Sequence, residues 1–144
     1  MNDSALYNRD ILRLASSLIA GDRLENPDGT AEVRSPICGS RIQADVQFSA
    51  DGTISAIALR ANACALGQAS AAIVRTNAVG TDVAQLAAIR IGIADALNGN
   101  AHMPADWQQL ALLAPAQNYP SRHAAILLPY DALLAAADTL KLAS

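Results

Sequence analysis

The residues with the most reactive side chains in this 144-residue chain are two cysteines, Cys38 and Cys64, and two histidines, His102 and His123. The cysteines lie 26 positions apart, so they form neither a CxxC pair nor the dense framework of small disulfide-stapled domains. Each is then a small core hydrophobe, a nucleophile or a metal ligand. His102 stands beside Met103-Pro104 in a stretch that reads as a solvated loop.

The elements around the cysteines decide which of these roles is open. Ile42, Ala44, Val46 and Phe48 alternate with Arg41, Gln43, Asp45 and Gln47, the pattern of a strand with one wet face. Strands are expected at about 31–37, 41–49 and 53–61, the last two joined at Asp51-Gly52, whose residue types tolerate the positive φ of a tight turn. Gly39 marks a second tight connection, which puts Cys38 and Ser40 at one end of the sheet. The third strand, antiparallel to the second, finishes near residue 61 on that same end, and a small-residued helix follows with Cys64 at its start. Hairpin geometry thus brings the two cysteines to one edge.

The remaining segments read as helices. From Ala5 to Ile19, Tyr7, Ile11, Leu14 and Leu18 recur at helical spacing, with Leu12, Ala15 and Ile19 widening the stripe. Gly21 to Gly29 is a loop by composition. Thr81 is the expected N-cap of a helix closed by Asn98-Gly99. A short helix is expected at Trp107 to Leu113, with Trp107 facing the core. A final helix starts near Ser121 and should be kinked or divided at Pro129. The fold class is α+β: a three-stranded antiparallel sheet packed by four to five helices, with residues 1–144 forming one domain.

Composition narrows the function classes. The hydrophobic fraction of 52% rests on 32 alanines, with aromatics at only 3%, which implies helices in close backbone approach. A net charge of -3 without a Lys/Arg cluster argues against nucleic acid as partner. No apolar run reaches the ~20 residues of a membrane span, and the start lacks the pattern of a secretory signal, so a cytoplasmic location is expected. No phosphate loop, dinucleotide fingerprint or HExxH motif is present.

Three segments carry a resemblance: Ser35-Pro-Ile-Cys-Gly-Ser40, Ala61-Asn-Ala-Cys-Ala-Leu-Gly-Gln-Ala-Ser70 and Tyr119-Pro-Ser-Arg-His-Ala-Ala-Ile-Leu-Leu128. With them the chain resembles the U-type iron-sulfur cluster assembly scaffolds, the IscU, SufU and NifU N-terminal proteins, over almost its whole length. The resemblance implies a scaffold that takes sulfur from a cysteine desulfurase and iron from a donor and passes the product to cluster-acceptor proteins. It places the family's ligands on Cys38, Cys64 and His123. Two positions depart: Ser40 stands where the pattern has aspartate, and Ala124 where it has a third cysteine. Clusters are usually held by four thiolates, so the implied set is incomplete. The Leu-Pro-Pro-Val-Lys segment of chaperone-dependent members is replaced by Asn118-Tyr-Pro-Ser-Arg122, so that dependence is not implied.

The retained Cys2His set is chemically suited to zinc with an open fourth position, or to iron if the missing ligand comes from outside. Arg122 could attract a persulfide or thiolate, but an exposed arginine at a helix start is the reading preferred for it. Two further readings stand beside the scaffold. One is a relative that keeps the fold but binds zinc or regulates the desulfurase without building a cluster. The other is a thiol hydrolase with Cys64 as nucleophile, His123 as base and Asp45 as orienter, which the position of Asp45 in mid-strand disfavours.

Overall fold

A computed structural model describes residues 8–18, 23–36 and 39–143, so Tyr7, Ile19 and Cys38 of the sequence reading lie outside the described residues. The sheet consists of β1 (Gly29–Arg34), β2 (Arg41–Phe48) and β3 (Ile54–Asn62), antiparallel in the order β1-β2-β3. The helices among the described residues are α1 (Arg9–Ser17), α2 (Ala65–Asn77), α3 (Val83–Leu97) and α4 (His123–Ala143). Two 3-10 segments, Gln108–Asn118 and Pro120–Arg122, lead into α4. This is the expected α+β class, with β1 starting and ending earlier than the alternation suggested.

The register explains the core. Ala31, Ala44 and Leu59 form one row across the sheet, and Gly29, Val46 and Ile57 another. Ala44, Val46, Ile57 and Leu59 are buried under the helices. α4 lies against β1 and β2, while α2 touches β3 and α4 and carries α1 on its outer side. In α1, Asn8 caps the helix by accepting from the Ile11 N–H at 3.0 Å, and Ile11 and Ala15 are buried. Leu12, expected to widen the apolar stripe, is 50% exposed, because one residue beyond Ile11 is a 100° turn away from the core.

The wet face of the sheet proves to be covered at Asp45, which is only 1% exposed. The segment 23–28 folds back over it, and four donors converge on the carboxylate. Arg23 Nε and Nη2 donate at 3.2 and 3.1 Å, the Leu24 N–H at 3.1 Å and the Thr30 hydroxyl at 2.5 Å. This carboxylate is a clasp for the loop. It orients no histidine, which removes it from the hydrolase reading. Burial alone would raise its pKa, but the hydrogen bonds from Arg23, Thr30 and Leu24, with the Arg23 charge, outweigh burial and hold it below the usual carboxylate range. Because the folded pKa is the lower one, the clasp's stabilisation is complete above the unfolded value of about 3.9 and is lost as pH falls through the folded value. Asp45→Asn offers one acceptor oxygen to four donors and should cost about 2–3 kcal/mol at neutral pH. Chemical denaturation at pH 7 and at pH 3 checks both statements, since the gap between wild type and variant should narrow in acid.

Other differences are local. The cap of α3 is Asp82 rather than Thr81: Asp82 Oδ1 accepts from the Gln85 N–H at 2.8 Å, and Gln85 Oε1 accepts from the Asp82 N–H at 3.1 Å, a reciprocal capping box. Thr81 instead donates its hydroxyl to the Ala78 carbonyl at 2.7 Å. The expected short helix at Trp107 is an 11-residue 3-10 segment. Its buried residues Leu110, Leu113 and Ala116 follow Trp107 at a period of three, the repeat that keeps one face of a 3-10 helix inward. Trp107 is buried against Tyr130 as expected of a core residue, their ring centroids 6.1 Å apart. α4 runs through Pro129 without dividing. Buried neighbours on both sides of the proline, Ile126, Leu128, Tyr130 and Leu133, hold the helix in place despite the missing N–H.

Candidate metal-ligand site at one end of the sheet

The last row of the sheet pairs Arg34 with Arg41 and Arg41 with Asn62, so the β1–β2 connection and the exit from β3 share one end. The connection is closed by the Ser35 N–H donating to the Ser40 carbonyl at 2.8 Å and the Gly39 N–H donating to the Ser35 carbonyl at 3.0 Å. Cys38 belongs to this connection in sequence and lies outside the described residues. Ser40, in the position where a carboxylate was expected from the resemblance, is buried.

Two residues after Asn62 the chain enters α2 with Cys64 as its N-cap, as the sequence suggested. The thiol is free and half-buried, and it makes no side-chain capping bond. It is therefore not committed to closing its own helix. Small residues let α2 approach α4: a Cβ on Gly67 would lie 2.8 Å from the Ala63 Cβ and 3.4 Å from the Ala125 carbonyl oxygen. One turn further, the buried Ser70 hydroxyl donates to the Ile126 carbonyl at 2.6 Å. The first turns of α2 and α4 are thus fastened together, which brings the helix starts carrying Cys64 and His123 to the same region.

His123 is half-buried at the first position of α4, and its Nε2 lies 2.8 Å from the Ala116 carbonyl oxygen. A carbonyl only accepts, so Nε2 bears the proton, and in the neutral ring Nδ1 keeps the lone pair. Donation of one ring N–H to a backbone carbonyl is the arrangement that orients metal-binding histidines. Ala124 follows on α4 and borders a cleft with Ser35 and Pro36 of the β1–β2 connection, which ties α4 to the third element of this end. Arg122 is half-buried in the preceding 3-10 turn, less exposed than expected, and His102 is exposed in its loop. Among the described residues, which include Cys64 and His123 but not Cys38, no group of three or more His, Cys, Asp or Glu side chains could hold a metal.

Sequence reasoning missed the parts that hold the site together. Ser70, Gly67 and the Ala116 carbonyl act through contacts made by residues 56, 58 and 7 positions away, respectively. Only Gly67 left a signal, as a glycine inside a helical pattern, which marks close packing.

The α+β layer thus has its β1–β2 connection and the start of α4 on one cleft, with the first turns of α2 fastened to α4. Residues 13–125 match the model of the NifU-like N terminal domain, and the chain belongs to that family. It is similar to the N-terminal part of a NifU-like protein from Brucella abortus, with 30% identity over 98% of each chain and a TM-score of 0.90. A candidate iron-sulfur cluster assembly scaffold protein for the SUF system, from thermophilic Fervidobacterium islandicum AW-1, shares the fold. There the TM-score is 0.84 at 18% identity, covering 94% of this chain and 98% of the other. No curated protein matches the chain. No helix among the described residues is long and apolar enough to cross a membrane.

Proposed function

We propose that the chain, as one domain over residues 1–144, is a scaffold on which an iron-sulfur cluster is assembled for transfer. The cluster is cargo rather than a resident cofactor, and the protein acts as a carrier, not a catalyst. Cys38 and Cys64 supply thiolates and His123 supplies Nδ1. A cysteine desulfurase provides the sulfur, and acceptor proteins take the finished cluster. The observation that carries this reading is the fastening of the α2 and α4 starts beside the β1–β2 connection in a member of the NifU-like N-terminal family. The donor types fit the cargo: an uncommitted thiol and an imidazole oriented through its other nitrogen.

Ser40 and Ala124 favour a second reading, in which the same residues hold zinc or the protein regulates the desulfurase, because two usual ligand positions are lost. Metal and acid-labile sulfide analysis of anaerobically purified protein separates the two. Iron and sulfide in comparable amounts are expected, with both falling to background in Cys64→Ser. Zinc without sulfide in the wild type would overturn the scaffold reading and support the second.

A further inference from the structure

Where the sheet ends at the β1–β2 connection, its face turned away from the helices is basic. Ile42 and Ala44 of β2 are buried under the helices, so Arg41 and Gln43 stand on the opposite face. The register sets Arg34 opposite Arg41 and Arg60 opposite Gln43, which gathers three arginines from three strands on that face. They lie 7 and 19 positions apart along the chain, so no basic run announces them. Arg34 and Arg41 are exposed and Arg60 is half-buried.

Little in the chain neutralises these charges. No carboxylate occurs between Glu32 and Asp45 or between Asp51 and Asp82, although the chain holds 13 acidic residues and a net charge of -3. Glu32 shares the face but reaches only Arg34, at 3.8 Å and with both side chains well exposed, which makes a weak pair. Asp45, the next acidic group on the face, is taken by Arg23. Among the described residues, neither Arg41 nor Arg60 is in an ion pair. Like charges directly opposite on neighbouring strands destabilise a sheet, so the Arg34–Arg41 pair works against the fold. A surface that folding disfavours, and that opposes the charge of the whole chain, is accounted for by a partner of opposite sign.

We infer that this face docks an acidic segment of a partner protein, whose carboxylates pair with Arg34, Arg41 and Arg60. The inference does not depend on what the candidate metal-ligand site carries. Guanidinium groups bind carboxylates through paired N–H donors, and the amides of Gln43 and Asn62 on the same face add further donors. The spacing suits an extended segment: its alternate side chains share one side at about 7 Å, close to the separation of about 7–8 Å for diagonal neighbours such as Arg41 and Arg60. A nucleic acid fits less well, since these rows offer no aromatic ring for a base to stack on and Glu32 would stand against its phosphates.

The test titrates the full chain with a capped octapeptide of alternating glutamate and serine and follows backbone amide resonances. Saturable shifts are expected at Arg34, Arg41, Gln43, Arg60 and Asn62, and none with the peptide in which glutamine replaces glutamate. The double variant Arg41→Glu/Arg60→Glu should weaken binding about tenfold or more, the combined effect of reversing two ionic contacts, whereas Arg9→Glu/Arg13→Glu on α1 should change it less than twofold. Equal weakening by both double variants, or shifts scattered away from this face, would mean general charge attraction and overturn the inference. Tighter binding of a thymidylate oligonucleotide of equal charge at the same residues would overturn it in favour of nucleic acid. Thermal unfolding supplies an independent readout. Arg41→Glu turns a like-charge pair into an opposite one, so its melting temperature should equal or exceed that of the wild type; a lower value would show that Arg41 serves the fold and is not held for docking.

Discussion

Gly29→Ala should destabilise the protein by about 2 kcal/mol or more, lowering the melting temperature by roughly 6–10 °C. Gly29 opens β1 directly beneath α4. A Cβ there would lie 1.9 Å from the Ala136 carbonyl oxygen, 2.9 Å from its carbon and 2.8 Å from Thr139 Oγ1. The nearest atom is helix backbone, which cannot rotate aside as a flexible side chain could. The Thr139 hydroxyl also donates to that same carbonyl at 2.6 Å, so the obstruction is held on both sides. Relief requires α4 to lift from β1 and β2, the strands it covers. The entropic gain of replacing glycine, about 0.4–1 kcal/mol, opposes this but is the smaller term. Thermal unfolding measures the balance, and an unchanged melting temperature would show that β1 and α4 are not in such close contact.

The features legible in the sequence are those fixed by short-range pattern. Period-two alternation from Arg41 to Phe48 located β2 within a residue of its observed end, and the apolar run after Asn62 put Cys64 at a helix start. The misreadings have a common physical origin in contacts between distant segments. Asp45 looked solvent-facing by alternation, yet residues 23–28 return to cover it and supply Arg23 and Leu24 as donors. Thr81 and Asp82 are both good caps by type. What decides between them is that the Thr81 hydroxyl is taken by Ala78 while Gln85 reaches back to the Asp82 N–H. The 3-10 segment was hidden because Trp107, Leu110 and Leu113 fit a loose helical stripe, and only Ala116 extends them to a period of three. At the site, residue types and order were visible. The fastening of α2 to α4 was not, because Ser70 reads as an ordinary small residue until its carbonyl partner at Ile126 is known.

Restoring a thiol at position 124 should have the largest effect on cargo. Ala124 is half-buried and borders the cleft, so a single added sulfur has room without displacing core atoms, and Ala124→Cys should fold with nearly wild-type stability. On the scaffold reading the new thiolate stands next to His123 and adds a tethered ligand to a set of three. A tethered group acts at an effective concentration of roughly millimolar or above, whereas a ligand drawn from solvent must be recaptured after every dissociation. Loss of cluster absorbance after adding a chelator in thiol-free buffer should therefore slow about tenfold or more in Ala124→Cys. Ala124→Ser, close in size but lacking a soft ligand, should decay like the wild type. Equal decay in the cysteine and serine variants would mean that residue 124 does not face the cargo and that the missing ligand is supplied from another direction.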